Sequence, residues 1–260
     1  MFEKRGTEYF NVKQVLLSLL LVFAVFVAGA QKQKVKYLTT FDDKLIHFGF
    51  TIGINALDFN VVNYNPIGEN PDFIAYPQDG VTETSFIRSD VAEIIPGFTV
   101  AIISSLRLTK DLNLRFLPGL SFGERRITYN IPVFDINNYD ATQFYSIKST
   151  FLDFPLLLKY KARRINNDRP YIVVGTAYRQ DISRTAQEDL VKLKGGGFYA
   201  ELGGGWDHYF PFFRFSVEVK FSYGLNNQLG DLPAPVQRQY YAQSIKDLRS
   251  KIFTLSFHFE

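Results

Sequence analysis

Strict alternation over residues 212–223, FFRFSVEVKFSY, constrains this chain more than any other stretch. Phe213, Phe215, Val217, Val219, Phe221 and Tyr223 share one parity, while Arg214, Ser216, Glu218, Lys220 and Ser222 share the other. Side chains alternate across a strand, so this stretch reads as a β-strand with one wholly apolar face and one charged face. The same pattern recurs at 47–56, 98–108, 112–122, 152–161, 198–208 and 252–260, while 170–179 is apolar on both parities and has the weakest register. With the opening stretch these make eight strands. No helical period, domain linker or repeat competes with them.

The connections alternate as well. Short pieces around 109–111, 163–168 and 209–212 join alternate strand pairs, and the long segments 60–97, 125–148, 180–197 and 224–250 join the others. An even strand count, short turns at one end and long loops at the other predict an all-β, eight-stranded antiparallel transmembrane β-barrel of the outer-membrane type, with short periplasmic turns and long extracellular loops. A soluble barrel of lipocalin type would put the apolar face inside. Room decides between them. The interior of an eight-stranded barrel is just wide enough for side chains to fill it, and 26 Phe and 15 Tyr cannot share it. Gly49, Gly53, Gly119, Gly123, Gly203 and Gly205 fall on the polar parity, where a narrow lumen needs small residues. The apolar face is therefore expected to meet outer-membrane lipid. The charged face would fill the lumen with Arg107, Arg115, Asp153, Lys159, Lys161, Glu201, Asp207, Arg214, Glu218 and Lys220. An open sheet edge in hydrocarbon leaves unpaired backbone groups, so the last strand must pair with the first. Pairing residues that sum to 421 across the 209–212 turn would set Asp207 opposite Arg214 and Glu201 opposite Lys220.

The N-terminus reads as a secretory signal peptide. Lys4, Arg5 and Lys13 precede the apolar run Val15–Val27, and Ala28-Gly29-Ala30 supplies a cleavage site between Ala30 and Gln31. A membrane anchor is the alternative, but it needs about 20 apolar residues. The expected division is 1–30 signal peptide, 31–46 periplasmic segment and 47–260 barrel in the outer membrane of a Gram-negative bacterium. The final strand ends in FHFE, with Phe259 near its end as outer-membrane barrels commonly show, although Glu260 departs from that pattern.

Little in the chain points to chemistry. Cysteine is absent, which removes thiolate ligands and cysteine nucleophiles. A net charge of +3 without a basic stripe argues against nucleic acid as a partner. KLKGGG at 192–197 lacks a P-loop ending. His47, His208 and His258 sit on separate strands, whereas a metal site needs ligands close together. Ser104-Ser105 and Ser149-Thr150 have no neighbouring His and acid arrangement. The reading is of no enzyme, no cofactor and no metal.

One segment is more specific. KYLTTFDDKLIHFGFTIGINALDFNV, residues 36–61, follows a basic stretch, QKQKVK. In it Thr40, Phe41, Asp42, Asp43, Lys44, His47, Phe48, Gly49 and Phe50 form a run that, with the eight-strand plan, resembles the PorT family of outer-membrane proteins. The resemblance implies a noncatalytic barrel needed for type IX protein secretion, working beside other secretion-system subunits and a much larger translocation barrel. Phe41, Asp42, Asp43, Lys44 and His47 are then candidate partner contacts. The alternatives are a surface-binding, adhesin-type barrel using loops 60–97 and 224–250, and a lipid-modifying enzyme, for which no acid/base pair stands out. A lumen filled by charged side chains passes no folded protein, so any part in export would be indirect.

Overall fold

Alternation becomes a closed antiparallel sheet. The structure, a computed structural model, describes residues 35–131, 133–134, 141–142, 144–183, 190–231 and 240–260. The signal peptide and its cleavage between Ala30 and Gln31 lie outside the described residues. Two units divide the chain, Met1–Lys36 and Tyr37–Glu260, and the second holds the barrel. Eleven strands occur among the described residues: β1 (Ile46–Asn63), β2 (Ser89–Arg107), β3 (Leu112–Phe116), β4 (Gly119–Tyr129), the short pair β5 (Val133–Phe134) and β6 (Ala141–Thr142), β7 (Tyr145–Lys161), β8 (Asp168–Asp181), β9 (Gly196–Tyr209), β10 (Arg214–Gly224) and β11 (Ile245–Phe259). Nine of them form one sheet in which β1 pairs with both β2 and β11, so the sheet closes into a ring. Both β3 and β4 lie between β2 and β7, so nine strands make eight staves.

The strand expected at 112–122 is thus two pieces. Pro118 has no N–H to give to a ladder. Its carbonyl instead accepts from the Ile102 N–H at 3.0 Å, while the Leu117 N–H donates to the Pro155 carbonyl at 3.1 Å. The break therefore leaves both neighbouring staves attached.

Side-chain burial settles which face is which. Phe50, Ile52 and Ile54 are about half exposed, whereas Thr51 and Asn55 on the other parity are buried. On β10, Arg214, Ser216, Glu218 and Ser222 are buried while Val219 and Phe221 are exposed. The apolar run from Ile46 to Ile54, at about 3.3 Å per residue and a tilt near 40°, covers roughly 20 Å of height, close to the ~25 Å apolar band of such barrels. Aromatic rings tile this outer surface, with Phe50 stacked on Phe259 at 4.9 Å and Phe98 on Phe122 at 4.5 Å between ring centroids.

Above the band the two faces exchange chemistry. Outward positions become charged: Arg126 pairs with Glu93 at 2.6 Å and Glu124 at 3.1 Å. Inward positions become apolar, and Phe59, Ile127, Tyr129, Ile147 and Leu248 join Ile67, Val81, Ile87, Leu190, Val191, Tyr240 and Tyr241 from the loops in one core. Because these segments remain strands, the long connections are shorter than expected. The segment expected to loop from 60 to 97 does so only from 64 to 88.

The β9–β10 hairpin corrects the expected pairing. Tyr209 faces Arg214, Asp207 faces Ser216 and Glu201 faces Ser222, so paired residues sum to 423 instead of 421. A sum of 421 places the turn at 209–212, with His208 facing Phe213, whereas the observed turn lies one residue further along. The chain uses a four-residue turn, 210–213, closed by the Phe210 N–H on the Phe213 carbonyl at 2.9 Å. A shift of two keeps every side chain on its face. Gly205, inward on β9, leaves space for the buried Tyr171 ring; a Cβ there would lie 2.5 Å from the Tyr171 hydroxyl oxygen. Gly205→Ala is expected to lower stability by about 1–3 kcal/mol. Reversible urea unfolding in lipid vesicles measures this, and an unchanged midpoint would mean that Tyr171 relocates freely.

A sealed interior as the candidate functional site

The short-turn mouth is closed by the segment preceding β1. Phe41–Asp43 forms a single 3-10 turn, and the His47 ring holds it by donating from Nε2 to the Phe41 carbonyl at 2.6 Å. Phe41 lies against the His47 ring at 4.4 Å and beneath the Arg214 guanidinium at 4.8 Å. Asp42 points into the barrel. Its carboxylate meets Lys161 at 3.4 Å, Arg169 at 3.2 Å and Arg214 at 3.5 Å, and accepts from the Tyr209 hydroxyl at 2.7 Å. Asp43, by contrast, is largely exposed and only 3.6 Å from Arg107, and Lys44 is exposed as well. Of the five candidate contact residues, then, Asp43 and Lys44 face outward, and Phe41, Asp42 and His47 hold the cap in place.

Asp42 also makes the cap sensitive to acid. Burial pushes its pKa up, but Lys161, the Tyr209 hydroxyl, Arg214 and Arg169 outweigh that and hold it below the ordinary carboxylate range. A carboxylate whose folded pKa is depressed stabilises the fold above its unfolded pKa, and that stability is lost as pH falls through the folded value. The barrel should therefore weaken below about pH 3.9, and Asp42→Asn should lack this part of the decline. Urea midpoints of both proteins at neutral and acidic pH give the comparison; equal declines would show that other carboxylates carry the effect.

Above the cap the lumen is a ladder of ion pairs. Glu260 pairs with Arg214, which also lies 3.9 Å from Asp207. Lys159 donates to Asp207 at 2.7 Å and stands 3.5 Å from the centre of the Tyr171 ring. Arg115, fully buried, donates to Glu218 at 2.8 Å; Glu218 also accepts from the Tyr171 hydroxyl at 3.0 Å and lies 3.3 Å from the His258 ring. One level further, Glu201 pairs with Lys220 at 2.8 Å and Arg179 at 2.6 Å, and Arg179 reaches Asp153 at 3.1 Å. The two-residue register shift turned the expected Glu201–Lys220 rung into a diagonal contact without losing the bond. Arg107 sits apart from this ladder, part-exposed at the mouth, where its guanidinium donates to the Asp42 carbonyl at 3.1 Å.

Ile103, Leu117, Leu157 and Val173 pack with Tyr171 along one wall. A cavity of about 30 Å³ among Thr51, Ser121, Asp153, Arg179, Glu218 and His258 leaves space for a water or two. Farther out, Arg125 is buried with no carboxylate partner among the described residues, its guanidinium 4.1 Å from the Phe59 ring centre and donating to Ser250 at 2.9 Å. The arrangement can hold charge in place, and among the described residues it leaves no wide aqueous path. The histidines stay apart: His47 serves the cap, His258 the ladder, and His208 faces outward against Asp168 at 2.7 Å.

Sequence reasoning missed three charged members of the cap and ladder. Arg179 lies on the strand whose two parities are both apolar, so nothing marked its face. Arg169 sits beside a turn, and Glu260, the last residue of the alternating 252–260 stretch, reads only as a departure from a terminal aromatic. A sequence signal did exist for Glu260: it shares the polar parity of His258.

Comparison with known proteins bears on most of the barrel. A family model described as outer membrane protein beta-barrel domain matches residues 30–230. No curated protein matches the sequence. Among solved structures, Neisserial surface protein A is similar at 9% identity over 83% of this chain and 98% of that one, with a TM-score of 0.41. OprG of Pseudomonas aeruginosa is similar at 10% identity over 83% and 92%, with a TM-score of 0.42. Ail, the attachment invasion locus protein of Yersinia pestis, is similar at 11% identity over 83% and 98%, with a TM-score of 0.33.

Proposed function

The chain belongs to the outer membrane protein beta-barrel domain family and resides in the bacterial outer membrane, and from that premise we propose that it is a noncatalytic accessory of type IX protein secretion, of PorT type. The observation that carries this reading is the filled lumen: Asp42 caps the mouth and the ion-pair ladder occupies the bore. Such a barrel contributes through its rim, its loops or its lipid-facing surface. The Thr40–Phe50 run, whose likeness to that family motivated the expectation, supplies the specific part of the proposal. Its exposed members Asp43 and Lys44 stand at the periplasmic rim, where a larger translocation barrel or another subunit would meet them.

A deletion strain tests the role directly. Loss of cargo from the medium, restored by the wild-type gene, is the expected result; unchanged secretion would remove the proposal. Double charge reversal at Asp42 and Asp43 is a poor probe of the contact, because Asp42→Lys places a fourth cation among Lys161, Arg169 and Arg214 and unsettles the barrel itself. Asp43→Lys with Lys44→Glu changes only exposed groups and should reduce export while heat-modifiable mobility stays normal. A surface-binding role is the second reading, favoured by the loop-built apolar cap at the extracellular end.

A further inference from the structure

At the extracellular end β7 outruns β8. Its pairing with β8 stops at Phe151↔Asp181, while its pairing with β4 continues to Ile127↔Tyr145. Successive residues of an antiparallel strand turn their N–H and C=O groups to opposite neighbours. The Thr150 carbonyl accepts from the Ile182 N–H at 2.9 Å, so the even-numbered residues of β7 face the β8 side. Odd-numbered residues face the other way: the Pro155 carbonyl meets Leu117 and the Lys161 N–H meets Asp111. The backbone groups of Ser146 and Lys148 therefore point away from β4, and no hydrogen bond to them is made among the described residues. A row of unpaired strand groups is a template for another strand.

These groups face a cleft of about 830 Å³, closed on the far side by Val191, Lys192, Leu193 and Gly195. Its chemistry differs between its two sides. Toward the barrel axis lie Ile147 and Val191, both part of the apolar core. On the outside lie Lys148 and Lys192. Glu124, opposite Lys148 in the β4–β7 ladder, is engaged by Arg126 and by the Ser146 hydroxyl, and Asp181 also lines the cleft; Lys148, Lys192 and Arg126 thus leave one positive charge in excess of the two acids, and neither lysine makes an ion pair among the described residues. We propose that this edge is a docking site for an extended peptide of a second protein, which adds as a strand beside Ser146–Lys148 with apolar side chains toward Ile147 and Val191 and acidic ones toward Lys148 and Lys192. Main-chain hydrogen bonds supply the affinity and the alternating side chains the selectivity, as in other strand-addition complexes. The partner reaches this site from outside the cell, and the inference stands apart from any role in secretion.

Detergent-solubilised full chain, titrated with a short fluorescein-labelled peptide alternating valine and glutamate, should show saturable anisotropy. Lys148→Pro removes an N–H that the β4 ladder does not use, and should weaken binding about tenfold or more while heat-modifiable folding is kept. Methylating alternate amide nitrogens of the peptide should weaken binding to the unaltered protein equally, which decides the matter even where the proline variant does not fold. Lys192→Glu should weaken the acidic peptide as well. The proposal is overturned by absence of saturable binding, by equal binding of a block-ordered peptide of the same composition, or by indifference to both the proline and the methylated amides. Concentration-dependent dimers that Lys148→Pro abolishes would also overturn it, assigning the edge to a second copy of this chain.

Discussion

Glu218→Leu should destabilise the folded barrel by about 3–5 kcal/mol, because it leaves the fully buried Arg115 without its carboxylate. The loss extends beyond one pair: the Tyr171 hydroxyl loses its acceptor and His258 its acidic neighbour. Leucine matches the apolar wall in kind, so packing alone does not account for such a loss. Replacing Arg115 and Glu218 together, by methionine and leucine, should restore much of the stability, since exchange of a whole buried pair for apolar side chains is often neutral. Urea unfolding in lipid vesicles reads all three proteins. A single variant as stable as wild type would mean that Arg115 finds water or another acid.

Arg214→Met should cost a similar amount, about 3–5 kcal/mol, by a different route. Arg214 joins the cap to the ladder: it pairs with Glu260, lies 3.5 Å from Asp42 and 3.9 Å from Asp207, and covers the Phe41 ring. Its removal leaves Glu260 buried without its cation. Lys161 and Arg169 still hold Asp42, so the cap should loosen without leaving. Proteolysis near Phe41 should accelerate along with the fall in stability; a stability loss with an unchanged cleavage rate would separate the ladder from the cap.

How far the sequence reveals these features depends on where hydrocarbon ends. Inside the band, lipid demands an apolar exterior and the narrow bore demands small or paired polar groups, so alternation at 213–223 is readable with no knowledge of partners. Outside it, Asp58, Glu124 and Arg126 turn to water while Leu57, Phe59 and Ile127 turn inward, and the reversed pattern reads as loop. Register was the next limit. Turn position set the β9–β10 pairing, and a turn displaced by one residue moved every partner by two while leaving the faces unchanged. Ion-pair partners across the lumen are remote in sequence, as Arg115 and Glu218 are, so residue types could be assigned to the lumen but not matched to one another. Asp42 shows the same limit from the other side. Its acidic neighbourhood in the sequence reads as a contact surface, while the three cations that claim it arrive from β7, β8 and β10.

Conductance across a planar bilayer most directly tests the central claim, that the bore is occupied and the protein acts from its outer surfaces. The wild-type chain, inserted and shown to be folded by its heat-modifiable mobility, should give at most brief and small openings, in contrast to wide porins with their aqueous channels. Steady, ohmic, porin-like current through the folded wild-type barrel would contradict the account, because it would require the cap held by Asp42 and the ladder through Glu218 and Glu201 to leave an open water path.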